Sequence, residues 1–303
     1  MKRLLITGSS GFIGHNLTQK CQQAGYDTYG LERRTSNLPN IIHGDLTDSS
    51  LSVGEHTFDC VFHLGSATPL ERDTKRLHQV NVDGTKNLWN AISDKTKSLI
   101  YVSGLGIYGN VKGTISESTP YNPDTEFARM RLESHAYLQE QCKNSGIKFS
   151  AAIFGDVYGP GGWFKNIIVD KLQNNNPFLM PGGGKYQKAF LSVDDAAGSI
   201  LSIYESGLQL PLYVVASPEQ VTFREFLEHA ARLLNVGRPR SIPKFAAKMA
   251  LGPDLVKLLC TPTSVSNDAI SEIYEFVHPQ FQAGLTDTIQ KLRSDTSLDY
   301  NQT

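Results

Sequence analysis

Over the first 150 residues, short β-rich runs alternate with longer stretches of helical spacing. That alternation builds a parallel sheet with crossover helices. The pattern predicts strands over Arg3–Thr7, Thr28–Glu32, Ile41–His43, Cys60–Leu64, Leu99–Ser103 and Phe149–Phe154. Several are continuous apolar runs, as strands are when helices cover both faces of their sheet. Helices are predicted over Gly11–Ala24, Thr74–Ile92 and Thr125–Asn144, the first closed by Gly25 and the third near Gly146.

After about residue 155 the texture changes. Gly159-Pro160-Gly161-Gly162 and Pro181-Gly182-Gly183-Gly184 read as loops, and the elements between them are shorter. Thr222 and Glu225 have capping-box spacing and open a helix through Leu234. Phe245, Met249, Leu251, Val256 and Leu259 give helical apolar spacing across Pro243–Leu259, broken at Gly252-Pro253. This predicts a helix pair covering one lobe. The last ten residues are expected to fray.

Composition adds mostly exclusions. The chain has 303 residues, 40% of them hydrophobic and 19% charged, with a formal net charge of −1. No long-range field draws it to nucleic acid or to an anionic membrane. The apolar run Leu4–Thr7 is too short for a signal-peptide core, and no apolar stretch is long enough to span a bilayer. Cys21, Cys60, Cys142 and Cys260 are scattered and form no CxxC. Reduced thiols in a cytoplasmic protein are expected, with neither disulfides nor a metal site.

The strongest local signal is Thr7-Gly8-Ser9-Ser10-Gly11-Phe12-Ile13-Gly14, set between a predicted strand and a predicted helix. Side chains at Gly8 or Gly11 would block the tight turn and the approach of backbone N–H groups to a pyrophosphate. Gly14 lets the helix lie close to the sheet, and the helix N-terminus adds partial positive charge. With 26 glycines in the chain, this spacing arises by chance roughly 0.2 times per sequence. Context therefore decides, and it is favourable. Glu32 closes the next strand 18 residues after Gly14, where an acid hydrogen-bonds an adenosine ribose. A glutamate repels a 2′-phosphate and favours NAD, whereas Arg33 and Arg34 offer a charged fork for NADP. Both cofactors stay open, with the balance towards NAD.

With these motifs in place, the chain resembles the extended short-chain dehydrogenase/reductase family, the NAD-dependent epimerase/dehydratase group. The resemblance runs over about residues 1–235. Gly8-x-x-Gly11-x-x-Gly14 is similar to the family's glycine spacing, and Gly44-Asp45-Leu46 to its adenine-contacting turn. The stretch Val61 to Ala67, through Leu64, Gly65 and Ser66, resembles its strand-4 motif. Asn81 to Asn87 resembles the helix motif beyond it. Val157 to Gly161 and Leu191 to Ala197 resemble later landmarks.

The resemblance implies an α/β fold, a Rossmann-type doubly wound parallel sheet with a smaller C-terminal substrate lobe. Residues 1–155, with returning segments near 187–216, would form the NAD(P)-binding domain. About 156–186 and 217–303 would form the substrate lobe. The implied cofactor contacts are Gly8, Ser10, Gly11, Phe12, Ile13 and Gly14 in the loop, and Glu32, Arg33, Asp45 and Leu46 at the adenosine. Leu64, Gly65, Ser66, Asn81, Ser103 and Arg131 would follow towards the nicotinamide. A small-molecule substrate is implied in the cleft between lobes. Family members dimerise through helices corresponding to Thr74–Ile92 and Thr125–Asn144, so a homodimer is the expectation.

The resemblance fails where the chemistry should be. The family couples hydride transfer to proton transfer through a tyrosine, a lysine four residues later on the same helix face, and a serine on the strand-5 loop. Counting back four from Tyr108, the serine position holds Gly104; Ser103 is one residue early and should face the other side of the strand. The tyrosine and lysine positions hold Phe127 and Arg131. Phe127 has no ionisable proton, and an arginine does not release its proton in proteins. The adjacent Asp-Glu of the family's dehydratases is replaced by Leu105 and Gly106.

Tyr108 and Lys112 share the Tyr-x-x-x-Lys spacing, but Gly109 and Gly113 make that stretch a loop. Tyr108 and Arg131 remain as catalytic candidates, with Glu117, Tyr121, Glu126, His135 and Tyr158 as other acids or bases. His135 is expected to be a surface or lobe-packing residue, and His63 a satisfied core histidine.

Two departures speak against a nucleotide-diphospho-sugar substrate. Lys188 stands near where such members carry an arginine, and apolar Ile153-Phe154 stands where many carry another. The apolar stretch Phe245–Leu259 would suit a more hydrophobic substrate, resembling the hydroxysteroid-dehydrogenase-like branch. Two functions follow: an atypical NAD(P)-dependent oxidoreductase or epimerase without the usual Ser-Tyr-Lys set, or a non-catalytic dinucleotide-binding protein.

Overall fold

The computed structural model describes residues 1–34, 40–170 and 179–294. The fraying expected of the last ten residues falls, apart from Ser294, outside them. Strands β1 (Arg3–Thr7), β2 (Asp27–Glu32), β3 (Ile41–His43), β4 (Cys60–His63), β5 (Ser98–Gly104) and β6 (Lys148–Phe154) build the central sheet with a seventh strand, Tyr213–Val215. The order is Tyr213–Val215, β6, β5, β4, β1, β2, β3, and every pair is parallel. The chain thus runs outward one way from β1 to β3 and the other way from β4 to β6. Between β1 and β4 the direction of winding reverses, which opens a crevice at their carboxyl ends.

Side-chain alternation explains why these strands read as unbroken apolar runs. Leu5, Val61, Leu99 and Tyr101 pack on one face, against Leu88 and Trp89 of the helix Gly84–Ile92 and Leu138 of the helix Glu126–Ser145. Leu4, Ile6, Phe62 and Ile100 pack on the other, against Leu17 and Cys21 of the first helix, Phe12–Gln23, and Ile200 of the helix Val193–Glu205. Both faces are covered, so neither set is polar.

A third core gathers Tyr158, Phe164, Phe190, Phe223, Phe226 and Leu285. Phe190 and Phe226 stack with centroids 3.8 Å apart. Phe226 is placed by the helix Phe223–Leu234, which opens with the full Thr222–Glu225 capping box.

Two features depart from the sequence pattern. The helix expected over Thr74–Ile92 is α-helical at Thr74–His78 and Gly84–Ile92 but widens to a π turn over Gln79–Asp83. The widened turn leaves the Asn81 carbonyl accepting from the hydroxyls of Thr85 (2.6 Å) and Ser134 (2.7 Å). The helix pair forms as Lys244–Leu251 and Pro253–Cys260, divided at Gly252 (φ +86°). Its apolar spacing does not mean burial, because Phe245 is 70% and Met249 85% exposed.

The four cysteines are buried and unpaired. Among the described residues, no helix is long and apolar enough to cross a membrane.

Candidate active site

The crevice begins where β1 gives way to the glycine loop. Gly8 adopts φ +69°, and a Cβ there would stand 3.1 Å from the backbone of Gly65 in the loop after β4. The two loops therefore touch, and only hydrogen fits between them. A Cβ on Gly14 would overlap the Gly8 carbonyl oxygen. Gly11, the N-cap of the first helix, offers no side-chain cap, and the first turn carries no acidic residue. Its backbone N–H groups and partial positive charge are left for an outside anion. The Phe12 ring lies against Gly159 and Gly162, where built Cβ atoms would come within 2.8 and 2.7 Å of it. Ser10 is exposed in the loop, and Ile13 packs towards the sheet.

At the end of β2, Glu32 accepts a hydrogen bond from the buried Ser9 hydroxyl at 2.9 Å. The glycine loop itself thus orients the acid. Beside it lies a polar cavity of about 340 Å³ lined by Arg33, His43, Asp45, Asp48, Ser50 and Ser52. Asp45 closes a turn by accepting from the backbone and hydroxyl of Thr47, and Leu46 packs against Gly65.

The loop after β4 is held from two sides. Thr7 Oγ1 accepts from the N–H groups of Leu64 (3.1 Å) and Gly65 (2.9 Å). It lies 2.8 Å from His63 Nδ1, and His63 Nε2 lies 3.0 Å from Thr85 Oγ1. Because Thr7 already accepts twice, its hydroxyl proton goes to Nδ1, which makes His63 the neutral Nε2–H tautomer. Burial first, and then the Arg131 charge, push the His63 pKa down to about 3. Asn81 bonds both the N–H and the carbonyl of Ala67 (3.0 and 3.2 Å). Its amide therefore braces the loop that carries Leu64, Gly65 and Ser66.

Arg131 projects from the helix Glu126–Ser145 and is only 5% exposed. Its Nη2 donates to the Val102 carbonyl, its Cζ sits 4.6 Å above the Tyr101 ring, and Nη1 is buried without a partner. The buried Ser103 hydroxyl is also unpartnered. Unanswered polar atoms of this kind are costly in a closed interior, so a ligand with hydroxyl groups fits here. Together with the glycine cradle, they make the crevice a fit for a dinucleotide.

A family model described as the NAD dependent epimerase/dehydratase family matches residues 4–216. The chain belongs to that family. It is similar to a Streptomyces 3-diazoavenalumate denitrifying reductase, 25% identical over 93% of this chain and 99% of that one. Its fold matches DesIV, a dTDP-glucose 4,6-dehydratase from Streptomyces venezuelae solved with NAD, at a TM-score of 0.82 and 21% identity over 97% of each chain. It also matches the human epimerase family protein SDR39U1, solved with NADPH, at a TM-score of 0.80 and 19% identity, over 96% of this chain and 100% of that one.

Gly104, Phe127 and Arg131 stand where the sequence resemblance implies a serine, a tyrosine and a lysine. Gly104 is extended (φ −130°), and the nearest heavy atom to a Cβ there is the Phe154 carbonyl oxygen at 3.7 Å. A serine would fit, so packing does not force the glycine. Phe127 packs with Ala67, Leu77, Val82 and Met130. Arg131 lies one helical turn deeper, as described above.

Of the remaining candidates, Tyr108, Tyr121 and His135 form a cluster. Tyr108 is fully buried with an unpartnered hydroxyl, and burial raises its pKa, with Tyr121 and Glu117 adding to the rise. It ends the short 3-10 turn Leu105–Tyr108 and precedes Gly109 (φ +63°), so it and Lys112 share no helix. Tyr121 packs against Tyr108 and His135, with centroids 5.5 and 5.7 Å apart. His135 is not on the surface. It is 1% exposed, ringed by Tyr101, Tyr121 and Phe149, with neither ring nitrogen partnered.

Glu117 binds the Val214 N–H, and Glu126 pairs with Arg129. Tyr158 belongs to the third core, away from Arg131. Sequence reasoning missed Thr7 and Thr85, because nothing local marks a hydroxyl that bonds across 56 or 22 positions. Asp194, His278 and Asp287 form a ligand-type cluster among the described residues, but the Lys291 ammonium sits 2.8 Å from both aspartates.

Proposed function

We propose that the chain is an NAD(P)-dependent oxidoreductase that works in the reductive direction without a tyrosine proton relay. The observation that carries this reading is an intact glycine cradle beside catalytic positions held by Gly104, Phe127 and Arg131. The loop Gly8–Gly14 would hold the pyrophosphate. Glu32, oriented by Ser9, would bind the adenosine ribose, with Arg33, Asp45 and Leu46 around the adenine. Leu64, Gly65 and Ser66 would flank the nicotinamide half, and Ser103 and Arg131 would bond its ribose hydroxyls. Bound there, the dinucleotide supplies a hydride.

Four candidate groups are poor proton relays. A proton acceptor works best with a pKa near the ambient pH. Burial holds His63 and His135 far below that range, and raises Tyr108 and Tyr121 above theirs. None of the four takes a proton readily at pH 7. Water therefore exchanges the proton, whichever way the hydride moves. The name of the similar Streptomyces protein, a reductase, supports the reductive direction.

The test begins with calorimetric titration of nucleotide-stripped protein with NAD+, NADH, NADP+ and NADPH. Saturable binding of one redox pair is expected, and no binding by any of the four removes the reading. Glu32→Ala should shift the NADPH-to-NADH affinity ratio upwards by about tenfold, the worth of one charge-assisted contact. An unchanged ratio would remove Glu32 from cofactor choice.

The three replacements also favour a second reading, a non-catalytic dinucleotide-binding protein. The triple variant Gly104→Ser, Phe127→Tyr, Arg131→Lys separates the two. A non-catalytic protein with an intact cleft gains reductase turnover, whereas an enzyme with its own mechanism gains none or loses turnover.

A further inference from the structure

We infer that the cleft takes an uncharged, largely apolar small molecule and turns away nucleoside diphosphates, with the Lys188–Asp156 pair as the specificity-determining element. The inference rests on the cleft reading above. The helix Pro253–Cys260 lies across the Leu105–Tyr108 turn and the N-terminus of the helix Glu126–Ser145. Leu258 Cδ2 is 3.0 Å from where a Gly106 Cβ would stand. Asp254 accepts the Glu126 N–H at 3.1 Å, and the Lys257 ammonium bonds the Asp124 carboxylate and carbonyl at 3.0 and 2.9 Å. From the other side, Arg72 donates to the Ala250 carbonyl at 2.7 Å. Beside Gly106 this roof offers Leu258 and Ala128, and Phe127 stands next to Ala128 in the first turn of the helix Glu126–Ser145.

A diphosphate needs unengaged cations or N–H donors. Lys188 is the buried lysine at this roof, only 3% exposed, and its ammonium is fully engaged. It lies 2.9 Å from Asp156 Oδ2, 3.2 Å from the Leu258 carbonyl and 3.5 Å from the Thr261 carbonyl. Those carbonyls close the C-terminal end of the helix Pro253–Cys260, which carries partial negative charge. Lys257 is tied to Asp124. Arg131 has Nη2 on the Val102 carbonyl and its guanidinium over the Tyr101 ring, and its remaining Nη1 is the donor assigned above to a ribose hydroxyl. An entering diphosphate would meet Asp124, Asp156, Asp254 and helix carbonyls, and would have to displace Asp156 from the buried Lys188 ammonium to reach that cation. An uncharged ring pays none of these costs and covers the apolar wall.

The full chain, saturated with whichever nicotinamide dinucleotide it binds, is titrated calorimetrically with UDP-glucose and with 4-phenylbut-3-en-2-one, an uncharged conjugated ketone. The ketone is expected to bind at least about tenfold more tightly. A smaller ratio, the reverse order, or no binding of either overturns the inference. Asp156→Asn is expected to free Lys188 and raise UDP-glucose affinity by about tenfold, and unchanged affinity in a folded variant also counts against it. Cofactor binding is read separately. UDP-glucose binding to a protein that binds its dinucleotide overturns only the substrate class, and failure to bind any dinucleotide overturns the reading beneath it.

Discussion

Gly14→Ala is expected to abolish dinucleotide binding and to lower the unfolding free energy by about 3–5 kcal/mol, at the upper end of single-residue effects. The added methyl would overlap the Gly8 carbonyl oxygen and stand 2.8 Å from the Gly8 carbonyl carbon and 3.0 Å from Ser9 Cα. All three neighbours are backbone, so no side chain can swing away. Relief requires the first helix to lift from the sheet. Leu17 and Cys21, both fully buried beneath that helix, would lift with it. The Gly8–Gly11 turn would open too, because the Gly11 N–H bonds the Gly8 carbonyl at 2.9 Å. Gly25→Ala is the control. Its φ of +82° strains an alanine, but nothing lies within 4 Å of the new methyl, so the cost should be about 1–2 kcal/mol with binding retained. Urea unfolding with and without NADH reads both variants. A Gly14→Ala protein with an unchanged midpoint and intact binding would remove the cradle from both stability and function.

That contrast marks what the sequence made legible. Strand ends fell within one residue of their expected places, because sheets covered on both faces write continuous apolar runs into the chain. The glycine loop was legible because its constraint is local: Gly8, Gly11 and Gly14 meet each other or one neighbouring loop. What stayed hidden depends on long-range contacts. No pattern around Thr7 says that its hydroxyl organises Leu64 and Gly65, 57 and 58 positions on.

Arg131 reads as a cofactor contact on a helix, but nothing local shows that it turns inward over Tyr101. His135, one turn later, follows it into the aromatic core. The π turn at Gln79–Asp83 answers to Ala67 and Ser134, not to its own helical propensity. Phe245 and Met249 show the reverse error, since their helical spacing suggested a buried face that is open to solvent. Lys188 was noticed for what it replaces, but its partner Asp156 and its carbonyl acceptors 70 or more residues away were not.

Acid should undo the fold through the two buried histidines well before the carboxylates contribute. Burial, and after it the Arg131 charge, hold His63 down to about 3 and His135 down to about 4, while an unfolded histidine titrates near 6.5. Both are therefore neutral in the folded protein at pH 5, when the unfolded chain has largely taken up both protons. Stability that is whole above pH 6.5 must fall as the pH drops towards 4. The slope is about 1.4 kcal/mol per pH unit for each histidine. Between pH 6 and pH 4 the pair together removes about 4 kcal/mol, a large share of the 5–15 kcal/mol of an ordinary domain.

Geometry gives the same sign. A second proton on His63 Nδ1 would point at a Thr7 oxygen that already accepts two N–H groups. A protonated His135 would set a cation among Tyr101, Tyr121 and Phe149 with no acceptor for either N–H. The Asp59 and Glu225 carboxyls, held low by their hydrogen bonds, lose their contribution only below about pH 4. His135→Phe keeps the ring among its aromatic neighbours and surrenders no hydrogen bond. Urea midpoints at pH 4.5, 5.5 and 7 should show a steep acid limb in the native protein and about half that slope in His135→Phe. An undiminished limb in the variant would mean that His135 is not held neutral in the fold, and that other groups carry the proton uptake.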